Sequence, residues 1–225
     1  VTSDTKEEGT SLVHTVTLSG AADHQLSFAY SLGGGTATGG GTDYSTPPSF
    51  SNGVTLVGGD LLVPAGVTSF TITTATVNDS LDENNESYNL SVGGVAATGT
   101  IVDNDGAPEF WINDVTVNEG DGTITFTVTK SGVTALTTSV DYTVSPNSAV
   151  TPGDYAAGTS ALTGSLTFAP GTATQTVTLN IADDEVFELS ENFTVNLSNP
   201  VNATIADAQG IGTITDTDTV TVMLS

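Results

Sequence analysis

GVTSFTITTATVNDSLDENNESYNLSV (residues 66–92) and GTATQTVTLNIADDEVFELSENFTVNL (residues 171–197) align without a gap. The alignment pairs Asp79 with Asp184, Glu83 with Glu188, Glu86 with Glu191 and Tyr88 with Phe193. Two shorter echoes flank it: Asp43-Tyr44 matches Asp154-Tyr155, and GTIVDND (99–105) matches GTITDTD (212–218). A period of roughly 110 residues built on alternating, turn-flanked segments indicates tandem copies of one unit. Acidic positions recur together with apolar ones, so the repeat preserves a site as well as a core.

Working outward, the apolar residues keep a period of two. Leu12, His14, Val16 and Leu18 alternate with polar residues, as do Ile124, Phe126 and Val128, and again Val177, Leu179 and Ile181. Such alternation marks half-buried strands, and no segment shows a helical period. Gly33-Gly34-Gly35, Pro47-Pro48, Val57-Gly58-Gly59, Pro146-Asn147 and Pro170-Gly171 punctuate the runs as turns. The second half is expected to form strands near 110–118, 123–130, 136–145, 162–169, 172–182, 191–198 and 209–215. The first half follows the same plan, with an opening strand short or absent near Val1. The expected fold class is all-β: two tandem immunoglobulin-like antiparallel sandwiches over 1–106 and 107–218, with 219–225 beginning a further module.

The chain has 225 residues, 26 of them acidic against only Lys6 and Lys130, and its formal net charge is -24. That balance repels nucleic acid and anionic lipid, whose phosphates are bound by Lys and Arg. With no Cys, neither disulfides nor thiolate metal sites are available, so rigidity must come from elsewhere. No leader or apolar span is legible, and both ends read as cuts in a longer chain. The wealth of Thr, Ser, Gly and Asn favours a secreted or cell-surface β module.

Strand parity places the acids. In a seven-strand antiparallel sandwich, the loops after strands one, three and five share a pole with the end of strand seven. In the second module those places hold Glu119, Asp154, Asp183-Asp184-Glu185 with Glu188, and Asp216 with Asp218. In the first they hold Glu8, Asp43, Asn78-Asp79 with Glu83, and Asp103 with Asp105. Two carboxylates ~5 Å apart repel by roughly 3 kcal/mol at an effective dielectric of ~20. Several such pairs would threaten a domain stable by only about 5–15 kcal/mol. A cation removes the penalty, and hard oxygen ligands without His or Cys favour calcium.

VNEGDGTITFTVT (117–129), TPGDY (151–155), LTFAPG (166–171), ADDEVFELSENFTVNLSNP (182–200) and GIGTITDTD (210–218) together resemble the Calx-beta domain. GTDY (41–44), LLVPAG (61–66), NDSLDENNESYNLSV (78–92) and GTIVDND (99–105) form a looser copy. The resemblance implies an immunoglobulin-like sandwich that binds calcium at one pole, through Glu119, Asp154, Asp183, Asp184, Glu188, Asp216 and Asp218. Bacterial members occur as tandem units of very large repeat-containing (RTX-type) adhesins, whose composition is similar to this one. Asn78 stands where the second module has Asp183, and Asn104 and Thr217 interrupt the terminal acidic motifs, so the first site is expected to bind fewer ions or bind more weakly. Glu185 and Glu191 are expected to face solvent unless either replaces a missing ligand, and Asn113 or Asp114 to offer an oxygen across the joint between modules.

The remaining signals read as structural. His14 shares the inward register of Phe126 and is expected in the core; Trp111 is expected in core or joint packing. Residues 33–41 are Gly-rich but lack the Lys and helix of a phosphate loop, and the Asp103 region lacks the loop length of an EF-hand. The resulting expectation is a non-enzymatic, calcium-stiffened spacer of an extracellular adhesin, in contact with neighbouring repeats. A glycan- or peptide-binding module, with loops 33–43 and 147–162 as its surface, is a second reading, and a calcium sensor a third. A hydrolase is disfavoured because the paired acids gather at one loop pole without Arg or a placed His.

Overall fold

The computed structural model describes residues 1–184, 186–220 and 222. Glu185 and most of the 219–225 tail therefore lie outside the described residues. Tertiary contacts divide the chain into two units, Val1–Asp105 and Gly106–Ser225.

The first unit holds β1 (Asp4–Glu7), β2 (Leu12–Thr17), β3 (Leu26–Gly33), β4 (Ser49–Phe50), β5 (Thr55–Val57), β6 (Asp60–Val63), β7 (Ser69–Thr74), β8 (Glu86–Val92) and β9 (Val95–Val102). They form one sheet ordered β1-β9-β8-β3-β6-β5 and a second ordered β2-β7-β4. The second unit holds β10 (Glu109–Ile112), β11 (Val115–Asn118), β12 (Thr123–Ser131), β13 (Thr138–Pro146), β14 (Tyr155–Ala157), β15 (Thr163–Phe168), β16 (Thr174–Ile181), β17 (Glu191–Val201), β18 (Thr204–Ile205) and β19 (Gln209–Thr215). Its sheets are ordered β14-β16-β12-β10-β18 and β11-β19-β17-β13-β15. Each unit is a two-layer β-sandwich, the architecture expected from the period-two pattern. No helix among the described residues is long and apolar enough to cross a membrane.

The inward residues of both layers make one core per unit. In the second, Phe126, Phe168, Phe193, Val177 and Leu179 are fully buried. In the first, Leu12, Leu61, Phe70, Ile72, Tyr88 and Leu90 play the same part. Burying one such side chain contributes about 1.5–3 kcal/mol. His14 lies in this core as its register requires, with Nδ1 2.8 Å from the Thr2 carbonyl oxygen and Nε2 2.9 Å from the Tyr88 hydroxyl.

The expected strand at 110–118 is two strands in different sheets. β10 pairs antiparallel with β12, whereas β11 pairs parallel with β19. The chain crosses between layers at Asn113 and Asp114. Asn113 Oδ1 accepts from Thr127 N at 2.6 Å, and Asp114 Oδ1 accepts from Ile211 N at 2.7 Å. Both side-chain oxygens expected to serve the joint thus engage their own module's backbone, satisfying amides the crossing would otherwise strand. In the first unit only the second half of this strand is regular: β1 pairs parallel with β9, and Thr2 N donates to Thr15 O at 3.0 Å in place of a β10 equivalent. Trp111 does not enter the core. Phe110 and Ile112 take the inward positions of β10, and Trp111 between them is 46% exposed.

Candidate metal centre

Each repeated motif contributes a backbone anchor and an acid aimed by it. Tyr155 is buried and stacks on Phe193 at 4.3 Å, which fixes the adjacent Asp154 at the mouth of β14. Tyr44 is buried against Tyr88 at 4.8 Å and fixes Asp43 in the same way. At the other edge, Gly212 lies opposite Phe193 and Gly99 opposite Tyr88. A Cβ on these glycines would fall 2.7 Å from Phe193 Cζ and 2.3 Å from Tyr88 Cζ. The aromatic therefore requires the glycine that begins each GTI-x-D motif, and that motif carries its two aspartates past the end of the sheet.

The loop acids are held by backbone amides. Asp216 Oδ2 accepts from Glu188 N at 2.5 Å and Oδ1 from Asp218 N at 2.6 Å. Asp103 repeats the pattern with Glu83 N at 3.2 Å and Asp105 N at 3.3 Å. Asp154 Oδ2 accepts from Val150 N and Asp43 Oδ2 from Thr38 N, at 2.6 and 2.5 Å. Asp184 and Asp79 each accept from the amide two residues on, at 2.7 and 2.8 Å. Asp154, Asp43, Asp184 and Asp79 are thereby oriented by one oxygen, with the other left to point elsewhere.

The result is two carboxylate trios per module. Glu119, Asp216 and Asp218 form one, and Asp154, Glu188 and Glu191 the other. In the first module Asp43, Glu83 and Glu86 repeat the second of these residue for residue, while Glu8 and Asp105 repeat two members of the first and are joined by Asp79, the counterpart of Asp184, instead of Asp103. Within each trio the ligand oxygens lie within 4.8 Å of one another. A single cavity joins each pair of trios: Asp103 lines it in the first module, and Asp184 and Asp216 in the second.

Glu86 and Glu191 are acids that the sequence-based ligand set left out. Glu191, expected to face solvent unless it replaced a missing ligand, opens β17 half-buried and completes a trio; Glu86 opens β8 likewise. Asp183 goes the other way, being exposed and in neither trio. In the first module Asn104 Nδ2 donates to Glu8 O at 3.4 Å and to Asn78 Oδ1 at 3.3 Å, so an amide occupies a place that carries no acid in either copy. At the matching position of the second module, Thr217 N donates to Glu119 Oε1 at 2.9 Å.

The electrostatics are those of a site short of positive charge. Burial and the facing carboxylate of Asp105 push Glu8 up to about 7. Burial with Asp43 does the same for Glu86, and burial with Asp154 for Glu191, each to about 7. Burial and surrounding acids also raise Glu83 and Glu188. For Glu119 the hydrogen bond from Thr217 lowers the pKa, but burial and Asp216 outweigh it. Asp216 is lowered, by its bonds from the Asp218 and Glu188 amides. Lys6 pairs with Asp4 at 3.8 Å, and no Lys forms an ion pair with any trio among the described residues. Glu8 Oε1 and Asp105 Oδ2 are buried without a hydrogen-bond donor. Buried acceptors of this kind cost free energy unless a proton or a cation meets them. The donor set is all oxygen, which fits a hard divalent cation.

Two sandwiches with acid-lined ends define a class of tandem β modules. The Calx-beta domain pattern matches residues 2–107 and 102–224, and the chain belongs to that family. Among solved structures, the apo-form Calx CBD1 domain is 26% identical, covers 50% of this chain and 100% of its own, and superposes with a TM-score of 0.46. CBD12 from CALX1.2 is 19% identical over 95% of this chain and 96% of its own, with a TM-score of 0.42. The calcium binding domain CBD12 of CALX1.1 is 19% identical over 94% and 96%, with a TM-score of 0.39. No curated protein sequence matches the chain.

Proposed function

We propose that each module binds calcium at its paired trios and that the ions complete the fold of the acid-rich loops. The observation that carries this reading is the recurrence of one trio, Asp43, Glu83 and Glu86 against Asp154, Glu188 and Glu191, at equivalent positions, beside a second trio that shares two of its three positions and in the first module holds donorless buried oxygens. Membership of the Calx-beta family supports it. Glu119, Asp216 and Asp218 would hold one ion in the second module, and Asp154, Glu188 and Glu191 another; in the first module Glu8, Asp79 and Asp105 would hold one, and Asp43, Glu83 and Glu86 the other. Calcium cross-links four separated chain segments in each trio pair, which is how it would stiffen a module that has no disulfide.

The biological role we infer is that of an extender in a secreted or cell-surface adhesin, a non-catalytic spacer whose stiffness depends on calcium. The charge of -24, the lack of Cys and the tandem repeat support this role. A neighbouring repeat is its immediate partner, and its localisation is extracellular. Calcium titration with melting curves in chelator tests the ion; small-angle scattering at low and saturating calcium tests the stiffening. No heat of binding and no rise in Tm would refute the first. An unchanged scattering profile would refute the second.

A further inference from the structure

The two modules differ on one sheet edge. Tyr142 and Val144 of β13 correspond to Tyr30 and Leu32 of β3. In the second module that edge is fully covered: β15 pairs with Thr138 to Thr143, and the Val144 amide donates to Leu162 O at 2.8 Å. Tyr142 Oη donates to Ala161 O at 3.1 Å, and Tyr142 and Val144 are buried. The cover is the module's own extended segment through Ala161 and Leu162.

In the first module the covering chain stops short. β6 pairs with β3 only from Leu26 to Ala29, the Tyr30 amide donates to Gly59 O at 3.0 Å, and the chain then turns at Gly58-Gly59 between β5 and β6. Beyond Tyr30, no strand lies on the side of β3 away from β8 among the described residues. Because alternate residues present their amides to the same edge, the Leu32 N–H faces that side as the Tyr30 N–H does. Beside it opens a cavity of about 330 Å³ lined by Tyr30, Leu32, Pro47, Pro48 and Leu56. Tyr30 Oη is buried without a hydrogen-bond partner, where Tyr142 has one.

We propose that this groove takes an extended peptide of another protein as an added strand on β3. A peptide carbonyl would accept from the Leu32 N–H, as Leu162 O does from Val144, and a branched apolar side chain would fill the space between Leu32 and Pro48. The second module shows the chemistry of the occupant: an uncharged segment with a small residue followed by a branched apolar one, as in Ala161-Leu162. Strand addition of this kind draws affinity from main-chain hydrogen bonds and specificity from a side-chain pocket.

The probe is a labelled peptide with the sequence of residues 158–166, GTSALTGSL, titrated into the intact chain by fluorescence anisotropy in calcium and again in chelator. Measuring both conditions separates this proposal from the metal reading. Saturable binding is expected in either, weakened about tenfold or more by Leu56→Asp in the protein and equally by Asp in place of the peptide's leucine at the Leu162 position. Tyr142→Phe in the covered module should leave binding unchanged. No saturable binding, or binding indifferent to both Asp substitutions, overturns the proposal. A concentration-dependent dimer that Leu56→Asp returns to monomer would assign the groove to a second copy and overturn it as well.

Discussion

Replacing Glu191 by Gln separates the cost of the trio from its use. Glu191 lies within 4.8 Å of Asp154 and Glu188, at the start of β17. At that distance Glu191 and Asp154, both ionised, repel by about 3.5 kcal/mol at an effective dielectric of 20. Partial exposure and salt reduce this to about 1–2 kcal/mol. In chelator at pH 8, where Glu191 with its pKa of about 7 is ionised, Gln should therefore raise the Tm of the second module. For a domain of this size the rise is about 5–10 °C. At pH 5 the native glutamate is already protonated and the substitution should be silent. In saturating calcium a ligand is lost, and tenfold weaker binding removes about 1.4 kcal/mol of ligand stabilisation, which cancels most of that gain and shrinks the calcium shift. Differential scanning calorimetry at both pH values, with and without calcium, reads all four conditions. A fall in Tm on Glu191→Gln in chelator at pH 8, or an undiminished calcium shift, would refute the reasoning.

Four further outcomes follow. Glu8, Glu86 and Glu191 are each raised to about 7, so their contribution to stability is full below their unfolded pKa and is lost as pH rises through about 7. The calcium-free chain should thus melt lower at pH 8 than at pH 5, and calcium should reverse that order, as melting curves in chelator and in calcium will show. Asp216→Ala removes the acceptor of two backbone amides and a member of one trio, and should abolish most of the calcium-dependent rise in Tm measured for the second module. His14→Phe imports the side chain of the other copy but strands the Tyr88 hydroxyl and Thr2 carbonyl, at a cost of about 1–3 kcal/mol in urea unfolding. Gly212→Ala puts a methyl 2.7 Å from Phe193 Cζ and should lower Tm in calcium and chelator alike, unlike the ligand variants.

Much of the architecture was legible because alternation is a local signal. The strand pattern of β12, β16 and β17 could be read residue by residue, and so could the burial of His14. The split of the opening strand was also written in the sequence, as a change of parity: Phe110 and Ile112 point inward at even positions, Val115 and Val117 at odd ones. A strand that keeps one face cannot do this, so the chain must change sheets at Asn113 and Asp114. Trp111 stays out of the core because its register puts it outward, although its size suggested burial.

The site was legible as a set of segments but not as a set of atoms. Parity located the loops after β1, β7 and β9 and the Asp-Tyr motifs, and the repeat paired Glu86 with Glu191. The last step needed the fold. Glu191 sits at the first residue of β17, where the strand's own register turns it toward Asp154, whereas Asp183 lies in a loop and no register fixes its direction. The open edge of β3 had no local signal, since it reflects how far β6 extends.

Calorimetric titration of the intact chain with calcium, at neutral pH after chelator treatment, bears most directly on these acid-lined ends. Paired trios in both modules predict saturation near four ions per chain, with proton release from the raised glutamates. A flat titration, with neither heat nor proton release, would contradict the account.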